Sequence, residues 1–400
     1  KDNYMKKHAY KQLLLGMIAM LIVMSISRFA YTPILPFMQQ DTSMDNQEAG
    51  FLATWNYLGY LVGAVIPIFY IYKTKVIDLK IYLALNIIST ILMGFTEQYL
   101  IWSIFRLISG ITSGTVFVLT SNIVLDSLKK IQREGISGVL YSAVGLGIFL
   151  SSIYLYFFAS VDSWKMVWFV LGIVSLVLGL IVLVFMKENT NTIINFKEEK
   201  MKINNRLNKK FVIFFSIAYF FEGAGYIITG TFLVAIVKSI PSVAEYATLS
   251  WMFVGLGAIP STLIWSLIAE KISYKKAIYG AFILQIISVC LPVFTHEIFS
   301  LVISSVLFGG TFLGLTTLFI SKGQSLMYKT DDPLNLVSLL TVIYSLGQML
   351  APMFAGILIG KSNNYNIALI FATVLLILGL ISTIFSYKQN ESIGEKYELK

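Results

Sequence analysis

Residues 13–38 read LLLGMIAMLIVMSISRFAYTPILPFM, an apolar stretch with one charged side chain, Arg28. A helix of this length, rising about 1.5 Å per residue, crosses the roughly 30 Å core of a lipid bilayer. A guanidinium group near the centre of an isolated membrane helix costs about 3 to more than 10 kcal/mol. We therefore expect a transmembrane helix in which Arg28 is stabilised by the protein or by a bound solute.

The rest of the chain continues this pattern. Of its 400 residues, 57% are hydrophobic and 13% charged, and the mean hydropathy is +0.78, whereas a soluble domain carries about 25% charged residues. Apolar blocks of about 20 residues indicate membrane helices, since transmembrane strands would show short alternating segments. We expect the short block 81–95 to extend into its flanks. We predict an all-α membrane protein with twelve transmembrane helices, at 13–38, 49–72, 81–95, 99–125, 135–158, 166–186, 211–237, 246–269, 277–294, 298–321, 334–360 and 365–387.

Lysine and arginine set the orientation, because cytoplasmic loops carry an excess of both. With the N-terminus in the cytoplasm, 25 of the 30 Lys and Arg residues fall on that side, and the outer loops hold Lys165, Lys238 and Lys361. We expect both termini in the cytoplasm. The first block is too long for a signal-peptide core, so we expect no cleaved leader. The net charge of +9 lies in short loops at helix ends, which argues against a nucleic-acid-binding role.

No group of side chains in the sequence suggests an enzyme or a bound cofactor. Cys290 is the single cysteine, and His8 and His296 lie apart from any second ligand type, so we predict neither a disulfide nor a metal site. The sequence shows no nucleophile–base pair and no soluble catalytic domain. We therefore expect a protein that is not an enzyme and needs no cofactor.

The polar segment 187–210 divides the chain into six apolar blocks on each side. A shift of about 195 residues relates the two sides and places Tyr31 opposite Tyr226 and Trp55 opposite Trp251. Internal repeats of this kind are common in transporters. We predict three parts: an N-terminal six-helix bundle (1–186), a cytoplasmic linker (187–210), and a C-terminal six-helix bundle with a short cytoplasmic tail (211–400).

Twelve spans in two halves around a polar central segment resemble the major facilitator superfamily. Ser266–Lys276 is similar to the loop motif of that superfamily, and Arg106–Gly110 resembles the Arg-x-x-x-Gly pattern of its fourth helix. The Gly-Pro signature of its antiporters is absent from block 5, where Gly145–Gly147 stands instead. The resemblance implies two pseudo-symmetric six-helix bundles with a central cavity lined by helices 1, 4, 7 and 10.

A narrower resemblance covers nearly the whole chain. This resemblance is to the YbfB/YjiJ-type branch of the superfamily, which is bacterial. It therefore implies a multi-pass protein of the bacterial cytoplasmic (inner) membrane. The segments that carry it are Arg28–Pro36, Asn56–Ala64, Gly225–Ile227 with Thr231–Leu233, and Gly347-Gln348.

Three charged side chains lie deep within the apolar blocks: Arg28, Arg106 and Glu222. At about 1.5 Å per residue, Arg28 and Glu222 should lie near the bilayer midplane and Arg106 somewhat nearer the outer face. Transporter sites occur near the midplane, between the repeats. The three positions fall on blocks 1, 4 and 7, which the resemblance assigns to the cavity.

These positions predict a secondary transporter of a small anionic or amphiphilic solute, working by alternating access with proton coupling. Arg28 and Arg106 would bind a carboxylate, because guanidinium stays charged and binds in bidentate fashion. Glu222 would take up and release the coupling proton. We expect a monomer whose partners are the solute, protons and the bilayer. The other candidate substrate contacts are Tyr31, Asn56, Tyr57, Tyr226 and Gln348.

The residues leave two alternatives open. In one, Arg28 and Glu222 form an ion pair that joins the two halves, with or without a transport role. In the other, the protein moves lipids or other amphiphiles, or is a passive facilitator without proton coupling. A channel would line one continuous pore with polar residues, whereas the polar groups here cluster at mid-depth.

Overall fold

The structure, a computed structural model, describes residues 2–159, 163–189 and 205–394. The described residues are almost entirely helical. Twelve segments among them are long and apolar enough to cross a membrane; α1 and α2 together form the first span, and α3 to α13 form spans 2 to 12. The helices are α1 (Asp2–Met20), α2 (Tyr31–Asp41), α3 (Asn46–Phe69), α4 (Lys75–Leu92), α5 (Tyr99–Lys129), α6 (Val139–Phe158), α7 (Trp164–Phe185), α8 (Lys209–Lys238), α9 (Ala247–Ile272), α10 (Tyr274–Phe294), α11 (Ile298–Lys329), α12 (Leu336–Ile359) and α13 (Tyr365–Tyr387).

The twelve predicted spans are confirmed, and so is the expected extension of the third, which runs over Lys75–Phe95. Two short strands were not predicted: β1 (Asn205–Leu207) and β2 (Ser392–Gly394), which pair antiparallel. Of the predicted linker 187–210, residues 190–204 lie outside the described residues, as do residues 395–400 of the predicted tail.

Span 1 is interrupted in the middle. Helix α1 continues into a π-helical segment, Leu21–Ile26, and a turn separates that segment from α2. The backbone N–H groups of Ser27 and Phe29 donate to carbonyl oxygens five residues earlier, at 3.0 and 2.9 Å. Among the described residues no backbone N–H reaches the carbonyl oxygens of Ser27 and Arg28. Because a buried carbonyl without a donor costs free energy, other groups must supply these bonds.

Spans 2 and 4 pack closely, and spans 8 and 10 repeat the contact. A methyl group on Gly59 would overlap the carbonyl oxygen of Leu107, and one on Gly257 would overlap that of Val306. Gly59 therefore corresponds to Gly257, a shift of 198 residues rather than 196.

The predicted match between Trp55 and Trp251 is corrected by this register. A displacement of two residues rotates a side chain by about 200° around a helix. Trp55 is accordingly 39% exposed and Trp251 only 1%. The two tryptophans lie on opposite faces of their helices and are not structural counterparts.

The two six-helix halves meet along three pairs of spans. Spans 2 and 11 touch where the Thr54 hydroxyl donates to the Met349 carbonyl oxygen at 2.7 Å. Spans 5 and 8 cross at Gly145 and Gly255, where a side chain on either glycine would overlap the other backbone. Spans 1 and 7 form the third pair. The residues between these three contacts lie at the interface of the halves.

We call the end of the bundle that holds the start of α1 and the start of α8 the linker end, and the opposite end the far end. At the far end, Asn46 of α3 joins the halves. Its amide donates to the Gly360 carbonyl oxygen at 2.9 Å and to Asn363 Oδ1 at 2.8 Å. The Tyr365 hydroxyl donates to Asn46 Oδ1 at 3.1 Å. These bonds join the two halves at the far end through a buried polar side chain.

At the linker end, each half holds one end of the central segment. Asn189 bonds to the N-terminal half, accepting from Ser127 Oγ at 2.6 Å and donating to the Ile123 carbonyl oxygen at 3.1 Å. On the other side, β1 and β2 form their small sheet, and the buried Lys322 ammonium pairs with Glu391 at 2.7 Å. Both ends of the segment are thus fixed to helices.

Candidate functional site

Arg28 lies in the turn that interrupts span 1 and points to the interface between the halves. Its Nη2 donates to Oε1 of Gln348 in span 11. Its guanidinium lies over the rings of Tyr57 and Tyr60 of span 2, at 4.8 and 4.2 Å from the ring centres. The Tyr226 hydroxyl of span 7 donates to the same Gln348 oxygen at 2.8 Å. Groups from both halves therefore surround this one cation.

The charge on Arg28 has no anionic partner among the described residues. No carboxylate of the described residues lies within salt-bridge distance of it, and the ion pairs join other residues. The side chain is 4% exposed. Two buried donor atoms at this place, Arg28 Nε and Gln348 Nε2, also have no hydrogen-bond partner. Leaving a buried donor unpaired costs about 1–3 kcal/mol, so the site favours a ligand that brings acceptors.

Arg106 of span 4 supplies the bonds that the interruption of span 1 requires. Its Nη1 donates to the Ser27 carbonyl oxygen at 2.8 Å, and its Nη2 to the Arg28 carbonyl oxygen at 3.4 Å. The guanidinium also lies 4.9 Å from the ring centre of Tyr31. In this arrangement Arg106 supports the turn that carries Arg28 and binds backbone rather than facing the interface.

Asn86 of span 3 completes the support of the turn. Its amide donates to Ser27 Oγ at 2.9 Å and to the hydroxyls of Thr112 and Ser113 at 3.0 Å each. Nearby, the Asn56 amide donates to the Arg106 carbonyl oxygen at 3.0 Å. The polar side chains inside the N-terminal half are thus joined into one cluster that fixes the backbone of span 1.

Glu222 of span 7 is fully buried and lies away from Arg28. The polar side chain that approaches its carboxyl group is Gln285 of span 9. Neither carboxyl oxygen of Glu222 and neither amide atom of Gln285 forms a hydrogen bond within normal limits of distance and angle. The predicted alternative of an Arg28–Glu222 ion pair is therefore wrong for this conformation, because the two side chains point to different neighbours.

The predicted site residues fall into three groups. Four of them meet at the interface: Arg28, Tyr57, Tyr226 and Gln348. Three others lie behind the turn, inside the N-terminal half: Arg106, Tyr31 and Asn56. There the Tyr31 hydroxyl donates to the Ala49 carbonyl oxygen at 2.8 Å. Glu222 stands apart from both groups, facing span 9. Their roles in binding and proton coupling stay predictions.

Some residues around the site were missed from sequence. Asn86 and Gln285 are amide side chains in the middle of blocks 3 and 9, and that position was the available signal. Away from the site, at the linker end, the buried Lys322 was also missed; it follows the predicted block 298–321 by one residue, and α11 extends to Lys329. Tyr60 and Tyr344 had no signal beyond residue type. No group of three or more possible metal ligands occurs in the described part of the chain.

Comparison with known proteins identifies the family. A sequence profile described as "Uncharacterised MFS-type transporter YbfB" matches residues 20–383, nearly the whole chain. The chain belongs to this family. MFS denotes the major facilitator superfamily, so the predicted resemblance is confirmed. The family is one of membrane transporters and not of enzymes, and it implies a small-molecule substrate carried by a multi-pass membrane protein.

Solved structures agree on the fold of this MFS-type protein. A variant of the nucleoside transporter NupG matches with a TM-score of 0.75 and 12% identity, over 94% of this chain and 100% of that chain. NupG itself matches with a TM-score of 0.69 and 12% identity, over 96% and 100%. At such identity the likeness shows the fold alone. No curated protein sequence matches this chain.

Proposed function

We propose that this protein is a proton-coupled secondary transporter that carries a small anionic or amphiphilic solute by alternating access. The observation that supports it most is the environment of Arg28. A buried guanidinium between the two halves, with no carboxylate of the described residues within salt-bridge distance, is complementary to the carboxylate of a solute. Arg28, Gln348, Tyr57 and Tyr226 form the proposed binding site.

Arg106, Tyr31 and Asn56 act on this site through the turn of span 1. Because Arg106 holds the Ser27 and Arg28 carbonyl oxygens, spans 1 and 4 would move together and carry the guanidinium of Arg28 with the N-terminal half. Rocking of the halves about a site at their interface is how transporters with internal repeats alternate access. The contacts of Asn46 would then open when the site faces the far end.

Glu222 is the proposed proton carrier. It is buried without hydrogen bonds on either oxygen, and an ionisable group buried in a membrane helix is a functional candidate by default. It lies one helical turn before Tyr226, whose hydroxyl is bonded to Gln348. A change in the charge of Glu222 therefore acts along span 7 on the group that also binds Arg28.

The linker end is proposed to face the cytoplasm of a bacterial cell, with both termini there and the far end outside the inner membrane. The excess of Lys and Arg on that side supports this orientation. The chain would act as a monomer of two bundles, 1–186 and 211–400, joined by 187–210.

Proton movement in liposomes tests the proposal without a known substrate. Purified protein is reconstituted with an entrapped pH-sensitive dye, and carboxylates, amphiphilic anions and matched neutral amides are added in turn. We expect an anion to change the internal pH with the native protein, and the rate to fall at least about tenfold in Arg28→Ala. A neutral amide as the sole active solute, or unchanged anion transport in Arg28→Ala, would contradict the proposal.

The control variant is Arg206→Ala. Arg206 lies exposed on β1, so its removal takes away one guanidinium without touching the site, and we expect native rates. Anion movement that persists after the proton gradient is abolished, still dependent on Arg28, would favour a passive facilitator instead.

A further inference from the structure

Aromatic rings line the N-terminal side of the interface, from Arg28 toward the linker end. The ring centres of Tyr57 and Tyr60 lie 4.8 and 4.2 Å from the guanidinium carbon of Arg28. The ring of Phe117 in span 4 follows at 6.1 Å from that of Tyr60, and the ring of Tyr141 in span 5 at 5.7 Å from that of Phe117. Phe117 and Tyr141 are partly exposed. We call these four residues the N-terminal row.

A second row lines the C-terminal side. The ring of Tyr226 lies 5.8 Å from that of Tyr344, with 10° between their planes. The ring of Tyr219 lies 4.3 Å from that of Tyr344 at 20°, and 4.6 Å from that of Phe319 at 17°. These four residues, from spans 7, 10 and 11, form the C-terminal row. Its rings are almost parallel and stack on one another; Tyr219 and Phe319 are buried, and Tyr344 is the most exposed of the four.

The two rows converge at Arg28. Tyr60, Tyr226 and Tyr344 all lie within electrostatic range of its guanidinium. Tyr60 and Tyr344 keep 8% and 9% exposure at mid-span, more than the 3% and 2% of Tyr57 and Tyr226. The unpartnered donors Arg28 Nε and Gln348 Nε2 lie at the same place. The site therefore combines a cation, two free donors and aromatic faces contributed by both halves.

We propose that the transported solute is a planar aromatic carboxylate, with its carboxylate on Arg28 and Gln348 and its ring stacked between the two rows. This inference rests on the proposed function, in which Arg28 binds an anion. Offset stacking favours a flat ring over a saturated one of equal size. An alkyl chain would gain the burial of its apolar surface but not the offset stacking, and a site for lipid tails would need only apolar side chains.

Matched pairs of acids test the ring and the charge separately. The probes are benzoate against cyclohexanecarboxylate and 2-naphthoate against decahydro-2-naphthoate, with benzamide as the neutral control. Binding to the purified full chain is followed by tryptophan fluorescence. We expect the aromatic member of at least one pair to bind about three to ten times more tightly than its saturated partner, in line with the usual strength of ring pairing. Benzamide should bind more weakly than benzoate.

Variants of the rows locate the preference. Tyr344→Leu and Tyr60→Leu should each reduce the aromatic preference toward equality, while Tyr344→Phe keeps it and shows that the ring is what matters. Phe95→Leu, which removes an exposed ring paired with Phe169 outside the site, is the control and should leave the preference unchanged.

The outcomes separate the two proposals. Equal binding of aromatic and saturated acids, with loss of both in Arg28→Ala, overturns the aromatic inference and leaves the anion site intact. Tight benzamide binding that persists in Arg28→Ala overturns the anion site. If neither pair nor benzamide binds, the aromatic inference is overturned as well, while proton movement by other anions in liposomes remains the separate measure of the proposed function.

Discussion

Spans 1 and 7 are repeat counterparts, yet only span 1 is interrupted. Ser27 and Glu222 stand 195 residues apart at corresponding positions. Each is approached by an amide from the third span of its half, Asn86 and Gln285, and each amide lies eleven residues after the start of its helix. The Asn86 amide is fully used as a donor. Neither amide atom of Gln285 has a partner.

The fourth span of each half explains the difference. Seven residues into that span the N-terminal half has Arg106 and the C-terminal half has Ser305. Arg106 supplies two donors to the open turn of span 1, whereas α8 is continuous and needs none. Ser305 Oγ is without a partner. At these matching positions the N-terminal half uses Arg106 and the Asn86 amide to hold span 1, whereas Ser305 and Gln285 of the C-terminal half have no such bonds among the described residues.

The largest expected loss of stability comes from removing Arg106, which holds the turn of span 1 in the N-terminal half. Arg106→Ala removes two charge-assisted bonds worth about 1.5–3 kcal/mol each and leaves two buried carbonyls unpaired. We expect a loss of about 3 kcal/mol or more, seen as a strong fall in the unfolding temperature in detergent. The control at the matching position, Ser305→Ala, should leave that temperature nearly unchanged. Equal effects of both changes would show that the halves do not differ in this way.

A smaller effect should follow from the two amides. Asn86→Leu removes the donor to the hydroxyls of Ser27, Thr112 and Ser113. Thr112 and Ser113 keep their own bonds to backbone carbonyl oxygens, and we expect a loss of about 1–3 kcal/mol. Gln285→Leu removes an amide that forms no hydrogen bond of normal geometry with the described residues, and we expect a change below about 1 kcal/mol. Thermal unfolding of both variants measures the difference. A larger loss in Gln285→Leu would mean that it is bonded to Glu222 in the native membrane.

The fold could be predicted from the sequence because each span has its own strong signal. A block of about 20 apolar residues indicates a membrane helix whatever the neighbouring helices are. The interruption of span 1 could not be predicted, although Pro33 and Pro36 lie close to it. Its position depends on Arg106, 78 residues further along the chain.

The residues of the candidate site were chosen by residue type and depth, and the direction of their side chains could not be predicted. Depth follows from counting residues at about 1.5 Å each, and it brought Arg28 and Glu222 to the same level. Which way a side chain points depends on the rotation of its helix in the bundle. Glu222 faces Gln285 rather than Arg28. For the same reason, an error of two residues in the repeat register matched the exposed Trp55 with the buried Trp251.

The smallest expected effect on stability distinguishes Glu222 from Ser27, its counterpart in span 1. Glu222→Gln keeps the size of the side chain and replaces a carboxyl group with an amide, which never carries a charge. Burying a charge costs far more than burying an amide, so we expect an unfolding temperature equal to or above the native one. Ser27→Ala removes the acceptor of one Asn86 bond and should lower the unfolding temperature by the equivalent of about 1 kcal/mol.

In liposomes the order of the two variants reverses, because Glu222→Gln should abolish proton movement while Ser27→Ala retains it. If proton movement survives in Glu222→Gln, the coupling group lies elsewhere and Glu222 has no role in proton coupling.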